Sequence, residues 1–92
     1  MKTIEFTRTF KKDFRRELGS QHGKKVEALL ERVIALLAEG GVLDAKFRDH
    51  PLTGNWSDHR DCHLRPDLVL IYKVSASAVT LVRLGSHSEL FG

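Results

Sequence analysis

Residues Leu68–Val74 read Leu-Val-Leu-Ile-Tyr-Lys-Val, apolar at consecutive positions rather than at alternate ones. Side chains of a strand point alternately to opposite faces, so a run that is apolar on both needs cover on both and belongs in the middle of a sheet. Two strand-like runs flank it, His59–Arg65 and Val79–Leu84, joined to it through Pro66–Asp67 and Ser75–Ala78. Connections this short make antiparallel hairpins. The first half of the chain has a different period. Lys2–Thr7 alternates like a short strand. Thr7 or Thr9 can then cap a helix carrying Phe10, Phe14 and Leu18, with Lys11, Lys12, Arg15 and Arg16 turned outward. Gly19–Ser20 and Gly23 break it. From about Lys24 to Glu39 a longer helix places Val26, Leu29, Leu30, Val33, Leu36 and Leu37 on one stripe, and Gly40–Gly41 stop it. The expected order is β-α-α-β-β-β: an α+β fold, an antiparallel sheet with two N-terminal helices on one face.

Asp44–Asp58 has no sustained period and contains Pro51, Gly54 and Asn55, so it reads as a long surface loop. Beyond the last strand, Ser86 and Glu89 stand three apart, the spacing of a capping box, which predicts a short C-terminal helix starting at Ser86. His87 then sits in its first turn, where the helix dipole disfavours imidazolium and attracts phosphate. Phe91 lies one turn further on, positioned for a base-stacking contact.

Ninety-two residues, 41% hydrophobic and 29% charged, make one folded domain spanning residues 1–92 rather than a disordered chain. The longest uncharged apolar runs fall far short of the ~20 residues a membrane span needs. The first residues lack the apolar stretch of a secretory signal, and a single cysteine, Cys62, suits a reducing compartment. A cytoplasmic location is expected. The net charge of +3 is uneven: residues 1–25 hold eight cations against Glu5, Asp13 and Glu17, and the remainder is net negative. A basic front end points to a polyanionic partner, most simply nucleic acid.

Four of the five histidines, His50, His59, His63 and His87, fall in the second half among Asp49, Asp61, Asp67 and Arg83. His59 and His63 have a spacing that chelates metal on a helix. On a strand it separates them by ~13 Å, so no metal site and no cofactor are expected. Metal-free cleavage of RNA fits better. Attack of a ribose 2′-hydroxyl on the adjacent phosphate needs a base, an acid for the leaving 5′-oxygen and a cation at the phosphate. Histidine suits both proton transfers near neutral pH, and arginine suits the phosphate. His50, His63, Asp67, Arg83 and His87 contain all of these groups.

The blocks Asp49-His-Pro-Leu-Thr-Gly-Asn-Trp56, Arg60-Asp-Cys-His-Leu-Arg-Pro-Asp67, Leu70-Ile-Tyr-Lys73 and Arg83-Leu-Gly-Ser-His-Ser-Glu-Leu-Phe-Gly92 closely resemble, in order and spacing, the YafQ branch of the RelE/ParE toxin superfamily. The match covers residues 47–92 well; the helical half matches in architecture more than in wording. The resemblance implies a toxin of a bacterial type II toxin–antitoxin module. It would be an endoribonuclease that cuts mRNA in the ribosomal A site and is silenced by a cognate antitoxin of ribbon-helix-helix type, as a heterotetramer. It also implies a functional set of His50, His63, Asp67, Arg83, His87 and Phe91, all retained. His87 is favoured as general acid and Arg83 as phosphate clamp, with His50, His63 or Asp67 acting on the 2′-hydroxyl. One departure is Leu68, where the best-known member has Trp; an aromatic there could contact a base, so codon preference is what its loss affects. On this reading Lys11, Lys12, Arg15, Arg16, Lys24 and Lys25 grip rRNA phosphates. Cys62 is expected to be a buried small residue, and Trp56 to pack the loop onto the body. The rival reading is a ParE-like toxin of the same fold that binds DNA gyrase without cutting RNA.

Overall fold

A computed structural model describes all of residues 1–92. The elements follow the expected order: β1 (Thr3–Phe6), α1 (Arg8–Leu18), α2 (Gly23–Ala38), β2 (His50–Pro51), β3 (Arg60–Arg65), β4 (Leu68–Val74), β5 (Ala78–Gly85) and α3 (His87–Phe91). They build one five-stranded sheet in the order β1-β5-β4-β3-β2. Leu68–Val74 is its central strand, with Val69, Leu70 and Ile71 wholly buried. Adjacent pairs from β2 to β5 are antiparallel, but β1 joins the outer edge of β5 in parallel, since the chain crosses the sheet through α1 and α2 in between. The sheet is therefore mixed rather than wholly antiparallel.

The two faces have different cover. On one, Phe10 of α1 and Val26, Leu30, Val33 and Leu37 of α2 pack on Leu70, Tyr72, Val79, Leu81 and Leu84. On the other, Val69 and Ile71 meet only Leu90, with Leu52, Trp56, Val82 and Phe91 around them. That second face has room for polar side chains.

The helices end as read. Thr7 caps α1, accepting from Phe10 N at 2.9 Å. Gly23 opens α2 at a corner so tight that a β-carbon there would lie 2.2 Å from the Leu18 carbonyl oxygen. Gly40 takes a φ of +75° just past α2, as a helix stop favours. Asp44–Asp58 is less loop-like than expected. It contains short 3₁₀ turns at Ala45–Phe47 and Gly54–Trp56 and the two residues of β2, with Phe47 buried as an anchor.

α1 also buries an acid, Asp13, 4% exposed, which lies off the Phe10–Phe14–Leu18 stripe. Its cause lies in β5. β1 pairs only with Ala78–Leu81, which leaves the edge of β5 beyond Leu81 without a neighbouring strand. The start of α1 supplies that neighbour. Thr7 N donates to Leu81 O at 3.0 Å and Thr7 Oγ1 to Val82 O at 2.7 Å; Leu84 N donates to Asp13 Oδ2 at 3.0 Å, and Arg16 Nη2 to Leu84 O at 3.0 Å. Buried backbone groups need such partners, because an unpaired one costs the equivalent of a lost hydrogen bond. Asp13 also receives Arg83 Nε at 2.8 Å, Arg83 Nη2 at 3.3 Å and Arg16 Nη1 at 3.4 Å. Burial alone would raise its pKa; the Arg83 hydrogen bond, the Leu84 amide and the charges of Arg83 and Arg16 together hold it below the usual aspartate value.

Asp13→Ala strips that edge and is expected to cost about 2–3 kcal/mol, read from the midpoint of urea unfolding. Because the folded carboxyl has the lower pKa, its contribution is present at neutral pH and is lost as pH falls through the acidic range. Wild-type melting temperature should therefore drop on acidification more steeply than that of Asp13→Asn. Parallel pH profiles would remove Asp13 as the source.

Candidate active site on the open sheet face

The register sets the site. His50 pairs with Asp61, Asp61 with Ile71, and Ile71 with Arg83, so one row crosses β2, β3, β4 and β5. The next row runs from His63 through Val69 to Gly85, directly before α3. Paired residues share a face. Val69 and Ile71 belong to the open face, so Asp61 and His63 lie there while Cys62 and Leu64, of the opposite parity, enter the helix-side core. In β5 the pairing skips Val82, from Tyr72↔Leu81 to Ile71↔Arg83. This bulge changes the parity of the strand and sets Arg83 on the open side while Leu84 faces the helices.

The capping box of α3 is formed on both sides. Glu89 N donates to Ser86 Oγ at 3.2 Å and Ser86 N to Glu89 Oε1 at 2.8 Å; the Ser86 amide on its carboxylate holds Glu89 below the usual glutamate pKa. It sets His87 in the first turn. Asp67, in the β3–β4 turn, accepts from His87 N at 3.4 Å and ties that turn to the start of the helix. The Phe91 ring lies 4.8 Å from the His87 ring and 6.5 Å, edge-on, from Trp56. Phe91 is half-buried and Trp56 packs on the same cluster, so the Trp56 segment is held to the body as expected.

Asp61 was no candidate, yet it is the centre of the arrangement. It is 2% exposed, and the charges of His50, His63 and His87 all act on it. His50 Nδ1 stands 3.1 Å from Asp61 Oδ1 but directs its bond to the Arg48 carbonyl at 2.8 Å. Asp61 Oδ1 thus has a close cation partner when His50 is protonated, and no hydrogen bond; buried His63 Nδ1 has none either. Burial pushes the Asp61 carboxyl above the usual aspartate value, and the three imidazoles offset this only in part. The signal was in the sequence: in the alternating run Arg60-Asp-Cys-His-Leu-Arg65, Asp61 shares its parity with His63. A second acid, Asp49, is occupied structurally by Arg60 Nε at 3.2 Å, Arg60 Nη2 at 3.3 Å and the Tyr72 hydroxyl.

Other candidates stand apart from the imidazoles. Arg83 bends over the sheet edge to Asp13, which occupies its Nε and Nη2 and leaves Nη1. Arg16 is exposed as expected but engaged: it bonds Leu84 O and pairs with Asp13, Glu17 and Glu89. Lys11, Lys12 and Arg15 on α1 and Lys24 and Lys25 on α2 are exposed, on the helix side of the sheet. Leu68 is buried in the helix-side core at 6% exposure, so at this position the side chain fills a cavity instead of facing a ligand. Cys62 is fully buried, and burial pushes its thiol well above the ordinary range, which removes it as a nucleophile.

A carboxylate that is harder to ionise folded than unfolded opposes folding once charged. Asp61→Asn should therefore melt above wild type at pH 7, with the gap closing as pH falls and the wild-type carboxyl takes up its proton. The same variant should lose cleavage activity. A melting temperature at pH 7 below wild type would mean that the imidazoles compensate Asp61 fully.

The family model described as the bacterial toxin of a type II toxin–antitoxin system, YafQ, matches residues 2–92. The mRNA interferase toxin YafQ of Escherichia coli K12 is 35% identical over 97% of this chain and 95% of its own length. Among solved structures, YafQ from E. coli BL21(DE3) superposes with a TM-score of 0.86 at 33% identity, covering all of both chains. The E. coli DinJ–YafQ complex gives 0.85 at 32%, again over both chains entire. A copper-bound mutant toxin from Helicobacter pylori gives 0.88 at 40%, over 99% and 100%. In this chain no three His, Cys, Asp or Glu side chains group as ligands for one ion. With a family model spanning nearly every residue and relatives matched end to end, the chain belongs to the YafQ family of type II toxin–antitoxin toxins.

Proposed function

We infer that the chain, acting as one toxin domain, is an mRNA interferase that cuts ribosome-bound message in the cytoplasm by acid–base catalysis and blocks translation. The observation that carries this reading is the register that sets His50 against the buried Asp61 carboxyl and His63 on the same open sheet face, in the row ending at Gly85, directly before the helix that carries His87. Its partner is a cognate antitoxin, as DinJ is for YafQ in E. coli; the ribbon-helix-helix type and the heterotetramer belong to the proposal. No helix is long and apolar enough to cross a membrane.

In the proposed reaction His50, His63 or Asp67 takes the proton of the ribose 2′-hydroxyl, and its oxygen attacks the adjacent phosphorus. The bond from phosphorus to the 5′-oxygen breaks, and His87 protonates that leaving oxygen. The products are a 2′,3′-cyclic phosphate and a 5′-hydroxyl. The Asp61 carboxyl lies beside His50, with its Oδ1 3.1 Å from His50 Nδ1, and shares the open sheet face with His63. Arg83 meets the phosphate through Nη1, with its plane fixed by Asp13. Phe91 supports the His87 ring and offers a surface for a base. Lys11, Lys12, Arg15, Lys24 and Lys25 supply sequence-independent contacts to rRNA phosphates; Arg16, already paired, contributes least.

His87→Ala should lower the single-turnover rate by about 10²–10⁴ with little change in ribosome affinity and an unchanged melting temperature. Arg83→Lys retains charge but loses the planar fork, and should slow the step less than Arg83→Ala. Phe91→Ala should raise the substrate concentration needed more than it lowers the rate. Near-wild-type turnover by folded His87→Ala ends this assignment.

Cleavage should persist in excess EDTA and leave 5′-hydroxyl ends. Products with 5′-phosphate and 3′-hydroxyl ends would indicate a metal-activated water instead.

A further inference from the structure

Beside β3, on the side where β2 pairs only with Arg60 and Asp61, an open cleft of about 420 Å³ runs between the first turns of α2 and the Ala45–Phe47 turn. Lys25, Lys46, Arg48 and Arg65 line it, and no carboxylate does. None of these four cations has an ion-pair partner, although Arg16, Arg60 and Arg83 elsewhere are all paired. The Lys46 ammonium lies 5.4 Å over the Phe47 ring. Leu29, Phe47 and Leu64 give the cleft an apolar floor, and His63 forms part of its wall.

Two features carry an energetic cost that folding does not explain. The first turn of α2 holds Lys24 and Lys25 and no acid, which sets cations against the positive end of a sixteen-residue helix; its N-cap, His22, makes no side-chain cap bond. Arg48 adopts a left-handed backbone, φ +49°, unusual outside glycine, and its carbonyl is the one that holds the His50 ring. The helix dipole, four uncompensated cations and an apolar floor add up to a site for an anion joined to a flat apolar group.

We propose that this cleft binds one nucleotide of single-stranded RNA, neighbouring the nucleotide held at His63, with its phosphate on Lys46, Arg48 and Arg65 and its base over the apolar floor. The proposal rests on the cleavage reading above, and it adds residues that reading does not use. His63 faces both spaces, so a strand entering the cleft would continue onto the open face. Arg48 links them mechanically: its side chain lines the cleft while its carbonyl orients His50. An acidic antitoxin segment is the competing occupant. The wall shared with His63 favours RNA.

The test uses a fluorescein-labelled single-stranded RNA with 2′-O-methyl sugars throughout, which cannot be cut because the attacking hydroxyl is blocked. Binding is read by anisotropy across a salt series. Lys46→Ala with Arg65→Ala should weaken binding about tenfold, and the slope of log K against log salt should shrink by about 0.7, the share of one phosphate contact on a single strand. The control pair Arg32→Ala with Lys73→Ala removes the same charge from exposed positions outside the cleft, and should leave the slope nearly unchanged. If the alanine pair melts early, Lys46→Gln with Arg65→Gln, which keeps the aliphatic stems, replaces it. Equal losses in cleft and control pairs would reduce the effect to bulk charge and overturn the proposal. So would unchanged RNA binding, including the case where affinity for the cognate antitoxin falls instead. Because the probe is inert, a failed cleavage assignment shows in His87→Ala turnover and leaves this binding result standing on its own.

Discussion

The carboxylate of Asp13 joins the helical layer to the sheet. Its partners are the backbone amide of Leu84 and the side chains of Arg83 and Arg16, drawn from β5 and from its own helix. Thr7 and Arg16 bond carbonyls of this β5 edge, but without Asp13 the Leu84 amide would be left unpaired beyond the end of β1, and open edges are where sheets mispair. A helix normally packs on a sheet through apolar side chains alone. Here α1 also completes the ladder, so the angle of α1, the course of β5 and the plane of the Arg83 guanidinium are fixed by one group. Every candidate that follows Val82 in the chain inherits that placement.

The open face follows the opposite principle. Asp13 is a buried acid with every lone pair answered; Asp61 is a buried acid with one oxygen left without a hydrogen bond. The first is held below the ordinary aspartate pKa and the second above it, though both are nearly inaccessible to solvent. Partners, not burial, separate them. The protein spends stability at the Asp61 end of the sheet, and groups in that condition tend to mark sites of proton chemistry. Membership of the YafQ family, whose E. coli relative is an mRNA interferase, favours RNA cleavage over the gyrase-binding reading of the shared fold.

The central strand, α2 and the capping box of α3 were legible because each depends on local rules: an apolar run, a 3.6-residue stripe, a three-residue spacing. The three histidines could be named as candidates, but their convergence depends on the pairing of His50 with Asp61 and on the bulge at Val82, neither of which spacing encodes. Asp13 was missed because the stripe was drawn through Phe10, Phe14 and Leu18. The inward line runs through Phe10, Asp13 and Phe14, while Leu18 stays exposed. What draws an aspartate inward there is its bond to the Leu84 amide and the Arg83 guanidinium, a partner set seventy residues away in the chain. The parallel seating of β1 also needed the three-dimensional path, since a strand followed by two helices can close on either edge of the sheet.

His87 sits on a helix of five residues, too short to persist by its own hydrogen bonds. It stays folded through the Ser86–Glu89 box and the side chain of Leu90 on the sheet. Such a segment opens as a small cooperative unit of its own, at a free energy well below that of global unfolding. With His87 in its proposed role as general acid, the fraction of molecules competent for cleavage would follow this local equilibrium rather than the stability of the sheet. On warming, activity would fade while the core remains intact, and amide protons of α3 would exchange far sooner than those of β4.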